Sequence, residues 1–251
     1  MIHWRKKSVD KTVFFLHIPK CAGSTLSYEI IKKQFNPGAS IFFYDQGHHV
    51  LVDRLKSMSE DEQKNIECIA GHFFFGIHRY YTARPTTYIT ILRDPIERVI
   101  SHYYFVLRSN THYLNKAVTE NNLTLKEYVA NKLSSELNNG QTRLLAGLEW
   151  DVPFGECKGE LLDKAKENLE TYFTSVGLTE RFDEFLRLLN HQLGWKIYFK
   201  KKQNVGQNRM KKEDIDSDTI TVIERYNQLD TELYRHAQIL FEKQYSKLSR
   251  K

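Results

Sequence analysis

Residues 12–25, TVFFLHIPKCAGST, decide how the chain is read. A continuous apolar, β-rich run (12–18) meets a turn holding Pro19, Lys20, Gly23, Ser24 and Thr25, and residues 24–35 then place Leu26, Ile30 and Ile31 at helical spacing before Asn36-Pro37-Gly38 closes the segment. Uninterrupted apolar strands are buried on both faces, which is the pattern of a parallel sheet. A loop that leaves such a strand and enters a helix offers free N–H groups and the positive end of the helix dipole, so it is an anion site. Gly23 lets the backbone approach, Lys20 adds a cation, and Ser24 and Thr25 offer hydroxyls.

The same grammar recurs. Residues 86–95, TTYITILRDP, form a second strong strand ending at Arg93-Asp94-Pro95, and the helix that follows carries Ile96, Val99, Ile100, Tyr103 and Val106. Shorter strands are expected at 39–44 and 67–74, and again at the start of 175–189, which runs on into a helix. Residues 50–65 read as helical with an acidic break, 110–172 as helices with polar loops, and 215–226 and 228–245 as two closing helices. Strands alternating with helices predict an α/β fold, a P-loop-like three-layer arrangement of a mainly parallel sheet between helices, formed by residues 1–251 as one domain.

Composition bounds the function. The 251 residues are 41% hydrophobic with a formal net charge of +6, enough for a sizeable core and suited to an anionic partner. Cys21, Cys68 and Cys157 are widely spaced with no C-x-x-C pair, so no disulfide framework or zinc site is expected, and a reducing compartment fits. No run reaches the ~18 apolar residues of a membrane span, and the basic N-terminus leads into no apolar signal segment, so the chain is expected to be cytoplasmic. The triphosphate-binding loop G-x-x-x-x-G-K-[ST] is not matched: its first glycine is missing and Lys20 precedes Gly23. This disfavours a magnesium-dependent kinase, which stays as one alternative; a non-catalytic polyanion-binding protein is the other.

HIPKCAGST (17–25) and ITILRDPIERVISHYYF (89–105) resemble the two nucleotide motifs of sulfotransferases that use 3'-phosphoadenosine-5'-phosphosulfate (PAPS). The likeness is to the carbohydrate branch that includes heparan sulfate 2-O- and 6-O-sulfotransferases and bacterial relatives. It extends, in the family's order, through 69–78, 137–147, 176–189 and 201–209. The resemblance implies a donor site in which Lys20, Cys21, Ala22, Gly23, Ser24 and Thr25 hold the 5'-phosphosulfate while Arg93 and Ser101 hold the 3'-phosphate. It also implies release of 3',5'-ADP, no metal, no nucleic acid partner, and a glycan or glycosylated small molecule as acceptor. Lys20 would stabilise charge on the leaving oxygen. His72, at a Gly-His step after a strand, matches the family's catalytic base.

His78 is the second choice for that base, His17 is expected to pack under the nucleotide, and His48, His49 and His102 are assigned to surface or helix packing. Arg98 is read as a solvated or salt-bridging residue outside the site. Asn139, Gln141 and Arg143 face acceptor or nucleotide or simply cap a polar loop; both readings stand. Lys201, Lys202 and Arg209, around Asn204 and Gly206, suggest a basic loop over the adenosine end or an acidic glycan, with a solvated charge run as the competing reading. The aromatics at 73–75, 80, 81, 103 and 104 are core positions or sugar platforms.

Overall fold

The computed structural model describes residues 11–36, 38–44, 47–197 and 209–248; the expected loop around Lys201, Lys202, Asn204 and Gly206 lies outside them. Strands Thr12–Leu16 (β1), Ser40–Phe43 (β2), Cys68–Gly71 (β3), Thr86–Leu92 (β4) and Phe173–Leu178 (β5) pair in the order β2-β3-β1-β4-β5. Every pairing is parallel. The central strand β1 is buried at all five positions, as its unbroken apolar run predicts. After β1 the chain moves towards β2 and β3, whereas β4 lies on the opposite side of β1. The loops leaving β1 and β4 therefore diverge and open a crevice at the carboxyl edge of the sheet, the place where open α/β sheets bind ligands.

Helix α1 starts at Thr25 as expected, but Thr25–Ile31 is wound in wide π turns before it tightens over Lys32–Gln34. The wider turn brings Ser27 onto the buried face with Leu26, Ile30 and Ile31, where it bonds the Tyr44 hydroxyl. The acidic break divides the next helical stretch into α2 (His48–Ser57) and α3 (Glu60–Lys64), with Ser59 and Glu62 forming a capping box at the second start. Asp94 caps α4 (Pro95–Arg108) by accepting from the Glu97 N–H, with Pro95 in the first turn. Then follow α5 (Asn115–Glu120), α6 (Leu125–Ala130), α7 (Gly140–Ala146) and α8 (Gly159–Tyr172), and after β5, α9 (Phe182–Leu193), α10 (Ser217–Tyr226) and α11 (Gln228–Tyr245).

Apolar side chains gather in two clusters. The larger surrounds the sheet; the smaller joins Val99, Ile100 and Val106 of α4 to Val118, Tyr128, Val129 and Ile223 of α5, α6 and α10. No helix among the described residues is long and apolar enough to cross a membrane.

Candidate active site

Pairing of Leu16 with Gly71 and with Thr90 aligns the carboxyl ends of β1, β3 and β4. His17, His72 and Arg93 thus emerge along one edge. Gly71 is needed where β3 turns out of the sheet, since a Cβ there would meet the Phe43 carbonyl oxygen at 1.8 Å. The His72 N–H donates to that same oxygen at 2.8 Å, which fixes the backbone from which the imidazole projects.

The loop after β1 is held in an uncommon shape. Lys20 (φ 69°) and Ala22 (φ 59°) are left-handed, whereas Cys21 and Gly23 are not, so the sign of φ alternates along the turn. Alternation of this kind aims successive N–H groups at one concavity, an anion nest, and holding non-glycine residues left-handed costs about 1–3 kcal/mol each. The Cys21 N–H and thiol both turn inward, to the Ile18 carbonyl (3.3 Å) and to Gln141 Oε1 (3.6 Å). Burial pushes that thiol up to about 12, so it stays protonated and serves as packing and donor. Gly23 lies against His17: a Cβ would come within 1.9 Å of the imidazole.

The two motifs meet through Arg93. Its Nη1 donates to the Lys20 carbonyl at 3.2 Å and its Nη2 to Glu97 at 3.0 Å. Gln141 clamps the same residue, accepting from the Arg93 N–H at 3.0 Å and donating to its carbonyl at 2.9 Å. Arg209 Nη2 also reaches Glu97, at 2.8 Å, so one carboxylate joins two guanidinium groups. Each retains a buried nitrogen without a partner, Arg93 Nε and Arg209 Nη1. Ser101 and Phe105 follow Glu97 at intervals of four along α4, on the side facing this cluster. Lys20 Nζ sits 3.8 Å from the centre of the Phe105 ring. Burial, then the charges of Arg108 and Arg93, bring the Lys20 ammonium down to about 8.

Pro19 and His72 open onto a cavity of about 350 Å³. Phe73, Phe74, Gly47 and His48 form its wall on the sheet side, and Arg98, Ser135, Glu136 and Gly140 face them from the helical side. His72 packs on His17, with ring centres 4.5 Å apart, and on Tyr44 at 5.1 Å. Burial, then the charges of His72 and Lys20, hold His17 well below the usual imidazole range, so it is neutral.

Several expectations are corrected. Arg98 is the salt-bridging residue of the two readings, but it is neither solvated nor outside the site: it lines the cavity, is 1% exposed, donates to the Glu136 carbonyl at 2.6 Å and pairs with Asp230 at 3.7 Å, because Ile96, Val99, Ile100 and Arg98 together cover the buried side of α4. His48 forms part of the cavity wall, its Nδ1 accepting from the Phe74 N–H at 3.2 Å. His102 packs in a helix as expected, but as a buried polar link between the Tyr128 hydroxyl (2.6 Å) and Glu136 (3.1 Å). His78 stands apart, bonded to Tyr88 and packed on Phe75 and Tyr172, and is not among the cavity residues. Of the loop residues, Gln141 bonds Cys21 and Arg93, whereas Arg143, which lines the cavity, is 2% exposed and its guanidinium is spent on Asn138, Asp151 and the carbonyls of Val152 and Pro153. Asn139, left-handed at φ 53°, accepts from the N–H groups of Leu229 and Asp230. Reasoning from sequence missed Arg98 and Glu136. The spacing of four that puts Asp94, Arg98 and His102 in one row of α4 is the signal that was present.

Compared with known proteins, the chain matches the family model for galactose-3-O-sulfotransferase over residues 6–251. Human heparan-sulfate 6-O-sulfotransferase 1 is 29% identical over 277 residues, covering 94% of this chain and 67% of that protein. Heparan sulfate 2-O-sulfotransferase 1 of Xenopus laevis is 32% identical over 136 residues, 49% of this chain and 36% of its own. A sulfotransferase from Alicyclobacillus acidocaldarius superposes with a TM-score of 0.51 at 14% identity, covering 92% of this chain and 96% of that one, and shares the fold.

Proposed function

The chain belongs to the galactose-3-O-sulfotransferase family, and from that premise we propose that it transfers the sulfuryl group of PAPS to a carbohydrate hydroxyl. The observation that carries this reading is the bond from Arg93 to the Lys20 carbonyl, clamped by Gln141, which joins two anion-competent strand ends into one site. The residues present fit such a donor. Arg93 Nε and Arg209 Nη1 are buried donors awaiting an acceptor, the left-handed nest supplies N–H groups, and Ser101 lies along the same row of α4.

When bound, PAPS supplies the sulfuryl group and leaves as 3',5'-ADP. His72 takes the proton from the acceptor hydroxyl, and the hydroxyl oxygen attacks sulfur as the S–O bond to the phosphate breaks. The neutral state of His17 matters here, since a second imidazolium 4.5 Å away would oppose protonation of His72. Lys20 stabilises the negative charge that grows on the phosphate oxygen. Cys21 shapes the loop from within, and Ala22 to Thr25 offer backbone and hydroxyl donors.

Incubation with sulfur-labelled PAPS and a glycan panel tests this directly. Label moves to a sugar in the unmodified protein, and Lys20→Ala and His72→Ala each abolish transfer while the His72 variant still gains thermal stability from 3',5'-ADP. Turnover at the normal rate by both variants refutes the assignment. Stabilisation by ATP with magnesium instead of 3',5'-ADP points to the kinase alternative.

A further inference from the structure

We infer that the cavity beside His72 selects a sugar with no anionic group next to its reacting hydroxyl, and that Glu136 is the residue that makes the selection, through a hydroxyl or amine of the acceptor. This rests on the sulfotransferase reading of the site and names the acceptor class within it. Arg98, Arg143, Glu136 and Asp151 are the charged residues among those that line the cavity. Arg143 is spent: Asp151, also in the lining, accepts from it at 2.7 Å, and its other nitrogens bond Asn138 and nearby carbonyls. Arg98 is balanced by Asp230, which is 0% exposed, and packs over Gly140. Among the described residues no lysine lines the cavity.

Glu136 remains. Its side chain is 35% exposed, and one carboxylate oxygen is bonded by His102 at 3.1 Å while the other receives the Tyr113 hydroxyl at 3.4 Å. Burial raises this carboxyl, but the His102 bond and charge, with Arg98 and His72, outweigh it and hold it at about 2, so it is ionised at any working pH. An ionised carboxylate facing the base accepts bonds from hydroxyl or ammonium groups and repels a uronate or sulfate. Arg98 Nε, buried and without a partner, adds a single donor on the same wall for a neutral sugar oxygen.

The opposite outcome is equally concrete: if Arg98 dominated, anionic sugars would be preferred. The full chain is titrated, with and without 3',5'-ADP, with lactose, a glucosamine disaccharide and a sulfated uronate-containing heparin disaccharide. The expected order of affinity is amino, then neutral, then anionic, with at least about tenfold between first and last. Glu136→Lys narrows or inverts that ratio and Glu136→Gln lowers the amino preference alone, each variant being checked for a normal melting profile. Preferential binding of the heparin disaccharide, an unchanged ratio in both variants, or binding of none of the three overturns the inference. Because titration needs no donor, these results stand apart from the labelled-transfer assay. Label passing fastest to the anionic sugar defeats the selection by Glu136 and leaves the sulfotransferase reading intact.

Discussion

At the scale of single residues, the loop after β1 holds several groups in unfavourable states, which the proposed donor would relieve. Lys20 is the plainest case. Its ammonium, brought down to about 8 by burial and by Arg108 and Arg93, is protonated below that pH and neutral above it. A phosphate favours the charged form, so affinity for 3',5'-ADP weakens as pH rises through about 8, and binding near that pH takes up roughly half a proton. Calorimetry in two buffers of different ionisation heat measures the uptake, which Lys20→Ala removes; a flat affinity between neutral and alkaline pH excludes this role. Gly23 carries a steric constraint of the same loop. In Gly23→Ala the new methyl meets the buried ring of His17, which is stacked on Phe15. Relief of that overlap costs about 1–3 kcal/mol. The denaturation midpoint falls accordingly, and 3',5'-ADP affinity falls with it because the nest is displaced.

At the scale of elements, the start of α7 organises the site. Asp230, on α11, accepts from the N–H groups of Gln141 (3.1 Å) and Thr142 (2.8 Å) and from the Thr142 hydroxyl (2.7 Å), and it balances Arg98. Asp230→Ala leaves a buried guanidinium uncompensated and is expected to cost about 3–5 kcal/mol in urea denaturation; a change within error excludes it as the anchor of α7. Gln141→Ala is milder. Loss of two bonds to the Arg93 backbone weakens 3',5'-ADP by about tenfold, with sugar binding unaffected. These couplings explain what was legible in the sequence. Arg93 and His72 stand directly after β4 and β3, and Lys20 and Gly23 lie in the turn between β1 and α1; a strand that runs into a turn is a local signal, and the resemblance to sulfotransferase motifs points to these four. Arg98, Glu136 and Asp230 acquire their roles only when α4, the loop before α7 and α11 converge, and nothing in the period of one segment reports that meeting. The Glu136 carboxylate is held by His102 and Tyr113, 34 and 23 residues away in sequence.

At the scale of the whole molecule, the cavity beside His72 lies between the sheet and the lobe that carries α4. His72, Phe73 and Phe74 belong to the sheet side, and Arg98 and Glu136 to the lobe built on α4, α5, α6 and α10. Arg98 and Arg143 are buried and paired with Asp230 and Asp151, so these pairs cancel within the formal charge of +6, which other residues carry. The same arrangement couples distant parts of the chain. Gln141 bonds both Cys21 and Arg93, and Arg93 bonds Lys20, so three segments distant in sequence share one set of contacts. Hydrogen exchange with 3',5'-ADP should therefore slow together in residues 19–25, 93–105 and 139–143. The α3 helix, which takes part in none of these bonds, should exchange at an unchanged rate. Protection confined to one of the three segments would mean that the loops after β1 and β4 bind separate ligands, and the coupling through Gln141 would then be structural only.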